Sequence, residues 1–389
     1  MNILYLAPQP LYQERGTSIA NKLVLEHLSK RGEQIDVVTF AEGEDIHFRG
    51  VKLYRIPDLP FLRGIRPGFS LKKIICDVFL MFQALYLGLI HRYDMVHAVE
   101  ESVFIAMLIK LLYGTPYVYD MDSSLAQQMT EKFPMLQKIL SVFEFFEGLA
   151  IRYSEAVVVV CDALGDVARK QTTTKIVTLR DVPLFKEEAT TDKENLRESL
   201  GIDGKIMMYV GNLESYQGID LLLKSFAIAA KELNDAHIVI IGGIPNDINK
   251  YKAMASELGI HDRVHLIGPR PIDQLSTYLQ QADILLSPRI KGNNTPMKIY
   301  SYLYSGKACL ATDLWTHTQV LTPEVSVLAK PTPEDYAAGM VNLIQDDNLR
   351  EELGRTGQHL IEKKYSYDVF VDNLDHLIDW LKLPQAQRT

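Results

Sequence analysis

Two series of short apolar runs, each alternating with segments of helical period, constrain this chain more than any other feature. The first series is Ile3–Ala7, Ile35–Phe40, Met95–Ala98, Tyr117–Asp120 and Ala156–Cys161, separated by stretches such as Ile19–Ser29 with helical spacing. The second is Ile206–Val210, His237–Ile241, Val264–Ile267, Ile284–Ser287 and Ala308–Thr312, again alternating with helices such as Ile219–Leu233. Strands covered by helices on both faces read as unbroken apolar runs, and parallel strands need crossovers long enough to hold a helix. The pattern predicts an α/β chain built from two doubly wound, Rossmann-like domains facing across a cleft. The highly charged stretch Lys186–Glu198 has no apolar period and places a linker near Leu184–Asp192. That divides residues 1–184 from 185–366. The last helix, within 367–389, can return to either domain.

A chain of 389 residues with 47% hydrophobic and 23% charged residues can bury two cores of ordinary size. Residues 1–180 carry 20 Lys and Arg against 20 Asp and Glu, and the remainder 21 against 29. Neither half offers the basic face that nucleic acid requires. Cys76, Cys161 and Cys309 form no CxxC pair, and no histidines stand at metal spacing, so neither a disulfide framework nor a metal is expected. The N-terminus reads as a buried first strand rather than a signal peptide, and a cytoplasmic protein is the expectation.

The segment Arg289–Gly306 carries the most chemistry. Thr295 is a suitable N-cap and Pro296 fits the first helical position, which would put Lys298 third in the helix. A cation there opposes the helix dipole, and Arg289 and Lys291 add charge just upstream. No Asp or Glu occurs between Asp283 and Asp313, so a bound phosphate or diphosphate is the simplest compensating charge. An ordinary basic, solvated helix start is the alternative. Asn293 and Asn294 lie in the same loop.

Ligands of doubly wound sheets bind beyond the carboxyl ends of strands. After the first strand comes Pro8–Ser18, with Gly16 leading into a helix. After two later strands come His97-Ala-Val-Glu100-Glu101 and Asp120-Met-Asp122-Ser123-Ser124, whose carboxylates and imidazole should gather at one rim and orient a hydroxyl or take its proton. In the second half, Gly211, Asn212, Gln217 and Gly218 bracket a second loop before a helix. Gly242-Gly243 and Gly268-Pro269-Arg270 follow the next two strands, where a base or ribose would sit. Each of these residues also has a plain reading as a turn, a cap or a surface charge.

In this order the motifs resemble those of the GT-B glycosyltransferases of the large retaining family 4, over nearly the whole length. Gly211–Asp220 stands where that family has its Gly-Arg-Leu…Lys-Gly segment, Gly242-Gly243 where it has a Gly-x-Gly turn, and Ala282-Asp283 before a strand ending in Pro288. Asn293–Gly306 stands where it has a paired-glutamate signature. Arg180–Pro183 resembles the interdomain hinge, and Tyr365-Ser-Tyr367 the start of a terminal helix that crosses back to the first domain. The chain departs from the family at telling positions. Asn293 and Ser301 replace the two glutamates, Asn212 and Gln217 replace the Arg and Lys that hold the diphosphate, and Asp122 stands where many relatives carry histidine. One branch, with a Thr-Pro-x-Lys-Ile-Tyr-Ser-Tyr pattern, keeps its cations on the later loop, and this chain resembles that branch.

The resemblance implies an acceptor-binding N-terminal domain and a C-terminal domain that binds a nucleotide sugar. It implies a hexosyltransferase-type enzyme without metal or cofactor, moving a sugar to an acceptor hydroxyl with retention, in glycan, polysaccharide or glycolipid synthesis. UDP-sugars are the default donor and GDP-mannose the next. Lys298 and Arg289 would stabilise the leaving diphosphate, and Asp122, His97 or Glu101 would orient the acceptor. A catalytically silent partner subunit and, further off, a nucleotide-sugar epimerase are the alternatives. Arg63, Arg66, Lys72 and Lys73 precede the apolar run Ile74–Ile90, which Asp77 and Gln83 interrupt. That run is expected to be too short and interrupted to span a bilayer, and to be either a peripheral contact with the inner leaflet or a buried helix. Phe145 and Phe146 are expected in the core.

Overall fold

The computed structural model describes residues 1–11, 16–45, 47–65, 70–126, 140–184 and 194–388. The chain forms two compact units, one of residues 1–180 with 370–389 and one of residues 181–369. Of the expected segments, Arg66, the turn 12–15 and linker residues 185–193 lie outside the described residues.

In the first unit, seven parallel strands run in the order β3-β2-β1-β4-β5-β6-β7. They are β1 (Asn2–Ala7), β2 (Gln34–Thr39), β3 (Val51–Arg55), β4 (Met95–Val99), β5 (Tyr117–Met121), β6 (Ala156–Val159) and β7 (Lys175–Thr178). The order reverses between β1 and β4, which are paired from Ile3↔Met95 to Leu6↔Ala98. The terminal helix Tyr367–Lys382 is tied to this unit by Asp375, which accepts from Arg31 and contacts His27 Nε2 at 2.6 Å.

The second unit has six parallel strands in the order β10-β9-β8-β11-β12-β13. They are β8 (Lys205–Val210), β9 (Ala236–Ile241), β10 (Val264–Gly268), β11 (Ile284–Ser287), β12 (Ala308–Thr312) and β13 (Val327–Ala329). Ile206, Met207, Met208 and Tyr209 of β8 are fully buried between helical layers; truncating one of them to alanine should cost about 2–5 kcal/mol. The reversal falls between β8 and β11, so the crevice for a ligand opens where Gly211 and Pro288 leave these strands.

The strands missing from the apolar series are β3, β7 and β13. All three lie at sheet edges, where one flank meets solvent and the residues are largely half-buried, so Val-Lys-Leu-Tyr-Arg and Lys-Ile-Val-Thr need no unbroken apolar run.

Two expectations fail on the outer helices of the first unit. The apolar run is part of a 20-residue helix, Leu71–Ile90, long and apolar enough by length and composition to cross a membrane. Its N-cap is Ser70, whose side chain accepts the Lys73 N–H, and Asp77 and Gln83 do not break it. Phe145 and Phe146, in the helix Leu140–Tyr153, are exposed rather than in the core.

Candidate active site

The loops at the carboxyl edge of the second sheet are built by close backbone approach. Gly211 continues the β8 pairing, its N–H donating to Ile241 O at 2.9 Å. With φ +149°, it lies so near Lys298 that a Cβ would stand 2.7 Å from Nζ. Gly218 has φ +76°, and a Cβ there would stand 1.9 Å from the Pro288 carbonyl oxygen. Only glycine lets the 211–218 loop lie against the start of the 288–297 loop.

Lys298 projects into this junction. Its Nζ sits 3.8 Å from the centre of the Tyr209 ring and 3.4 Å from Gln217 Oε1. The residue keeps some contact with solvent, yet burial of the ammonium, with repulsion from nearby Arg289, drives its pKa well below the usual lysine value. No carboxylate pairs with it among the described residues. The Tyr209 hydroxyl donates to Asn212 O at 2.6 Å, so this ring both shapes the loop and supports the cation on its face.

Arg289 stacks its guanidinium over Tyr216, 5.2 Å from the ring centre, and curls back on its own loop. Its Nε donates to Lys291 O at 2.7 Å and one Nη to Asn294 O at 3.3 Å. Behind the loop stands a neutral strut. The Thr312 hydroxyl donates to Arg289 O, Thr316 Oγ1 donates to Asn294 O at 2.7 Å, and Gln319 Nε2 donates to Asn293 O at 2.6 Å. His317 lies between Ser287 Oγ at 2.8 Å and the Thr312 carbonyl at 2.9 Å. Burial, with Arg289 and Lys298 adding repulsion, lowers its pKa to about 3, so it is a neutral brace. Sequence reading missed Tyr209, Tyr216 and this strut. The position of Thr312 through Gln319, at the end of β12 and just beyond it, was the signal.

The helix start differs from expectation. The helix is only Lys298–Tyr304, so Lys298 stands first rather than third. Ile299 N–H donates to Pro296 O and Tyr300 N–H to Met297 O, a tight i→i+3 entry that uses Thr295 and Pro296 as loop residues. Thr295 does not cap. Its hydroxyl is buried and makes no hydrogen bond among the described residues. Asn293, Asn294, Lys291, Arg289, Thr295, Pro296 and Lys298 thus come together with Gly211, Gln217 and Gly218.

Four expected donor contacts are placed otherwise. Ser301 is buried, and its Oγ accepts the Leu184 N–H at 2.9 Å. The next residue in the motif, Tyr302, accepts the Val210 N–H at 2.8 Å through its hydroxyl. The residues after Lys298 therefore pack the helix rather than face a ligand. Gly243 lies against Leu213, where a Cβ would stand 2.4 Å from Cδ1, so the turn packs too closely there for a side chain. Asn212 Oδ1 turns to its own loop, accepting the Glu214 N–H at 3.3 Å. Arg270 forks onto Glu194, with Nε at 2.9 Å and Nη2 at 3.1 Å, and Tyr278 Oη donates to the same carboxylate at 2.8 Å. Arg270→Ala should lower stability by about 1 kcal/mol and leave any nucleotide-induced rise in melting temperature unchanged. A lost rise would return Arg270 to the donor site.

In the first unit the expected rim divides. Gly16 begins the helix Gly16–Lys30. His97 lies in mid-strand, not at the rim. Its ring stacks on Tyr5 at 4.5 Å and its Nε2 meets Asp120 Oδ2 at 2.8 Å, all buried within the sheet. At the rim proper, Glu100 takes the left-handed region, φ +48°, and its Oε1 accepts from Ser123 Oγ at 3.1 Å. Asp122 is partly buried in the same turn. Glu147, unforeseen, accepts from Ser124 Oγ at 2.9 Å and Leu125 N at 2.7 Å.

Glu101 turns away from the rim to Lys73, Oε1 to Nζ 2.5 Å. Burial pushes the neighbouring Asp77 carboxyl up to about 8, with the Glu101 charge adding to it. Glu101 in turn raises the Lys73 pKa against the burial that would lower it. One lysine thus faces several acids, and burial raises both Asp77 and Glu101, so the pair retains a proton above the usual carboxylate range. An unfolded Asp titrates near 4, so the stability from this proton is complete below about pH 4 and is lost as pH rises to about 8. Asp77→Asn should remove that loss, on the order of 2–4 kcal/mol at alkaline pH. Melting curves of the two proteins that stay parallel across this range would refute the assignment.

Residues 192–360 match the family model described as glycosyl transferases group 1. Over 88% of its length the chain is 21% identical to an uncharacterised glycosyltransferase of Methanocaldococcus jannaschii, covering 89% of that protein. Among solved structures it resembles sucrose-phosphate synthase from Thermosynechococcus elongatus, with a TM-score of 0.79 at 15% identity over 98% of both chains. It also resembles HepE of Anabaena in complex with UDP and glucose, with a TM-score of 0.76 at 15% identity over 97% of this chain and 99% of that one. The fold, two parallel-sheet α/β units, is that of GT-B glycosyltransferases.

Proposed function

We propose that this protein transfers a sugar from a nucleotide-diphosphate donor to an acceptor hydroxyl, with retention of configuration and without a metal. The observation that carries this reading is the place of Lys298, its ammonium over the Tyr209 ring beside Gly211 and Gln217, with no carboxylate partner among the described residues, at the carboxyl edge of β8 and β11. A diphosphate would restore the ammonium's charge balance and accept the hydrogen bond that the buried Thr295 hydroxyl lacks. The match of residues 192–360 to group 1 glycosyl transferases gives this cradle its substrate class, and the UDP bound to HepE makes UDP-sugars the first donors to test.

In this reading the leaving diphosphate takes the acceptor's proton on the face where the sugar departs. Lys298 and Arg289 stabilise the charge that develops as the glycosidic bond breaks, with the 288–297 loop held in shape by Thr312, Thr316 and Gln319. Lys291, exposed at the loop, adds to the attraction for the incoming anion. We assign Asp122 and Glu100 of the first unit to orient an acceptor, and leave out His97 and Glu101, which are committed to Asp120 and Lys73. We place the enzyme on the cytoplasmic side, in glycan or glycolipid synthesis, with peripheral membrane contact through the first unit.

A thermal-shift screen against UDP, GDP, ADP, TDP and their sugar conjugates tests the donor site, because a ligand that binds only the folded state raises the melting temperature. A selective shift with one nucleotide supports the reading. No shift with any of them would favour a catalytically silent subunit.

A further inference from the structure

The helix Leu71–Ile90 is apolar on both sides. Cys76, Leu80, Ala84 and Leu87 face inward and are buried in the same core as β1, β4 and β5. Leu71, Ile74, Val78, Phe82, Tyr86 and Leu89 recur at helical spacing on the opposite side, and all are exposed, Phe82 to 63% and Leu89 to 70%. A helix apolar all round is ordinarily enclosed, and this one is enclosed on one side only.

Its neighbours extend the surface. The Tyr113 ring of the helix Val103–Tyr113 packs on Gly88, and its hydroxyl donates to Leu85 O at 3.2 Å. Lys110 on that helix donates to Tyr153 O of the helix Leu140–Tyr153 at 2.9 Å, so the three lie side by side. The second helix exposes Phe104, Leu111 and Leu112, and the third Val142, Phe145 and Phe146. An apolar area on three adjacent helices exceeds the scattered exposure normal for a monomer and marks an interaction surface.

The charges around it select the partner. Lys72 at the start of the first helix, Arg92 just past its end and Arg152 on the third helix are exposed, and none forms an ion pair among the described residues. Asp77 is the acid of the first helix, partly buried on the side of Lys73 and Glu101, and the second helix has none. Glu144 is the exposed acid of the third. Apolar side chains ringed by cations, with the amphipathic rings of Tyr86, Tyr113 and Tyr153 among them, match an anionic lipid surface in both polarity and charge.

We infer that the outer face of these three helices docks on an anionic lipid leaflet, the helices lying in the plane of the interface. The first helix does not cross, because its inner side is part of the core of the first sheet. This deepens the membrane contact proposed above and rests on that reading, while the surface itself is independent of the donor cradle.

Sedimentation of the full chain with vesicles of phosphatidylcholine, with and without phosphatidylglycerol, tests it. The protein should bind the phosphatidylglycerol vesicles, less so at high salt. Phe82→Ser/Tyr86→Ser/Leu89→Ser should lower the partition coefficient about tenfold or more. Lys72→Glu/Arg92→Glu should abolish the preference for phosphatidylglycerol. Both variants alter exposed side chains and should keep the melting temperature and nucleotide shift of the parent, which separates a failed docking surface from a failed donor site. Binding by the triple variant equal to the parent's, or no binding by the parent, overturns the inference. So does a dimer in light scattering that the triple variant dissociates without any vesicle binding, because the face then belongs to a second copy.

Discussion

Lys298→Met should sharply reduce sugar transfer while raising the melting temperature. Both effects come from one circumstance: the ammonium is held where water is largely excluded, close to Arg289, and no carboxylate of the described residues answers it. In catalysis that arrangement is useful, since a cation fixed in a dehydrated site stabilises a departing diphosphate without first reorganising solvent. Its removal should cost about 10²–10³ in turnover. In the protein without ligand the same arrangement is a burden. A folded-state pKa below the unfolded value means that folding strains the charged form, so stability should rise with pH through the lysine range, and methionine should remove the strain. For a unit of this size, each kcal/mol recovered should raise the melting temperature by roughly 2–4 °C. A bound diphosphate should favour the charged form and oppose this strain, so nucleotide should stabilise the parent more than Lys298→Met. Unchanged turnover in Lys298→Met, or a lowered melting temperature, would remove this lysine from the centre of the mechanism.

Gly218→Ala should strongly destabilise the second unit. The new Cβ would stand 1.9 Å from the Pro288 carbonyl oxygen, and the backbone at φ +76° is one that alanine adopts only with strain. Either the 211–218 loop or the 288–297 loop must shift, and the second carries Arg289. Destabilisation of about 3 kcal/mol or more is expected. Nucleotide affinity should fall with it even where the protein stays folded, because a displaced loop misplaces the guanidinium. Chemical denaturation with and without nucleotide would read both effects. A variant with parental stability and affinity would show that these loops are not in the contact described.

Local pattern made much of this protein legible. Runs such as Ile206–Val210 and Ile284–Ser287 are apolar because helices cover both faces of their strands, and that condition alone produces the alternation of strand and helix. The loops that follow them were found by the same logic, and the cationic segment around Lys298 stood out because cations gather there without acids. Edge strands escaped because half-burial relaxes the pattern, as at Val51–Arg55.

Side-chain partners were far less legible. Arg270 reads as a free cation in a loop until Glu194, 76 residues earlier in the chain, is brought within 2.9 Å of it. His97 reads as a rim imidazole until its place in mid-strand stacks it on Tyr5. Ser301 sits in the middle of the most informative motif, yet helical geometry turns it inward to Leu184.

From the amino-acid sequence by itself came the class of fold, the order of its elements and the segment where an anion would bind. Each depends on residues near in the chain, whose spacing decides which faces are apolar and where glycine is needed. Which cation is dehydrated, which is cancelled by a carboxylate, and which apolar helix stays open on one side were decided only by the tertiary structure. Desolvation and pairing depend on everything within a few ångströms, and those neighbours are mostly distant in sequence.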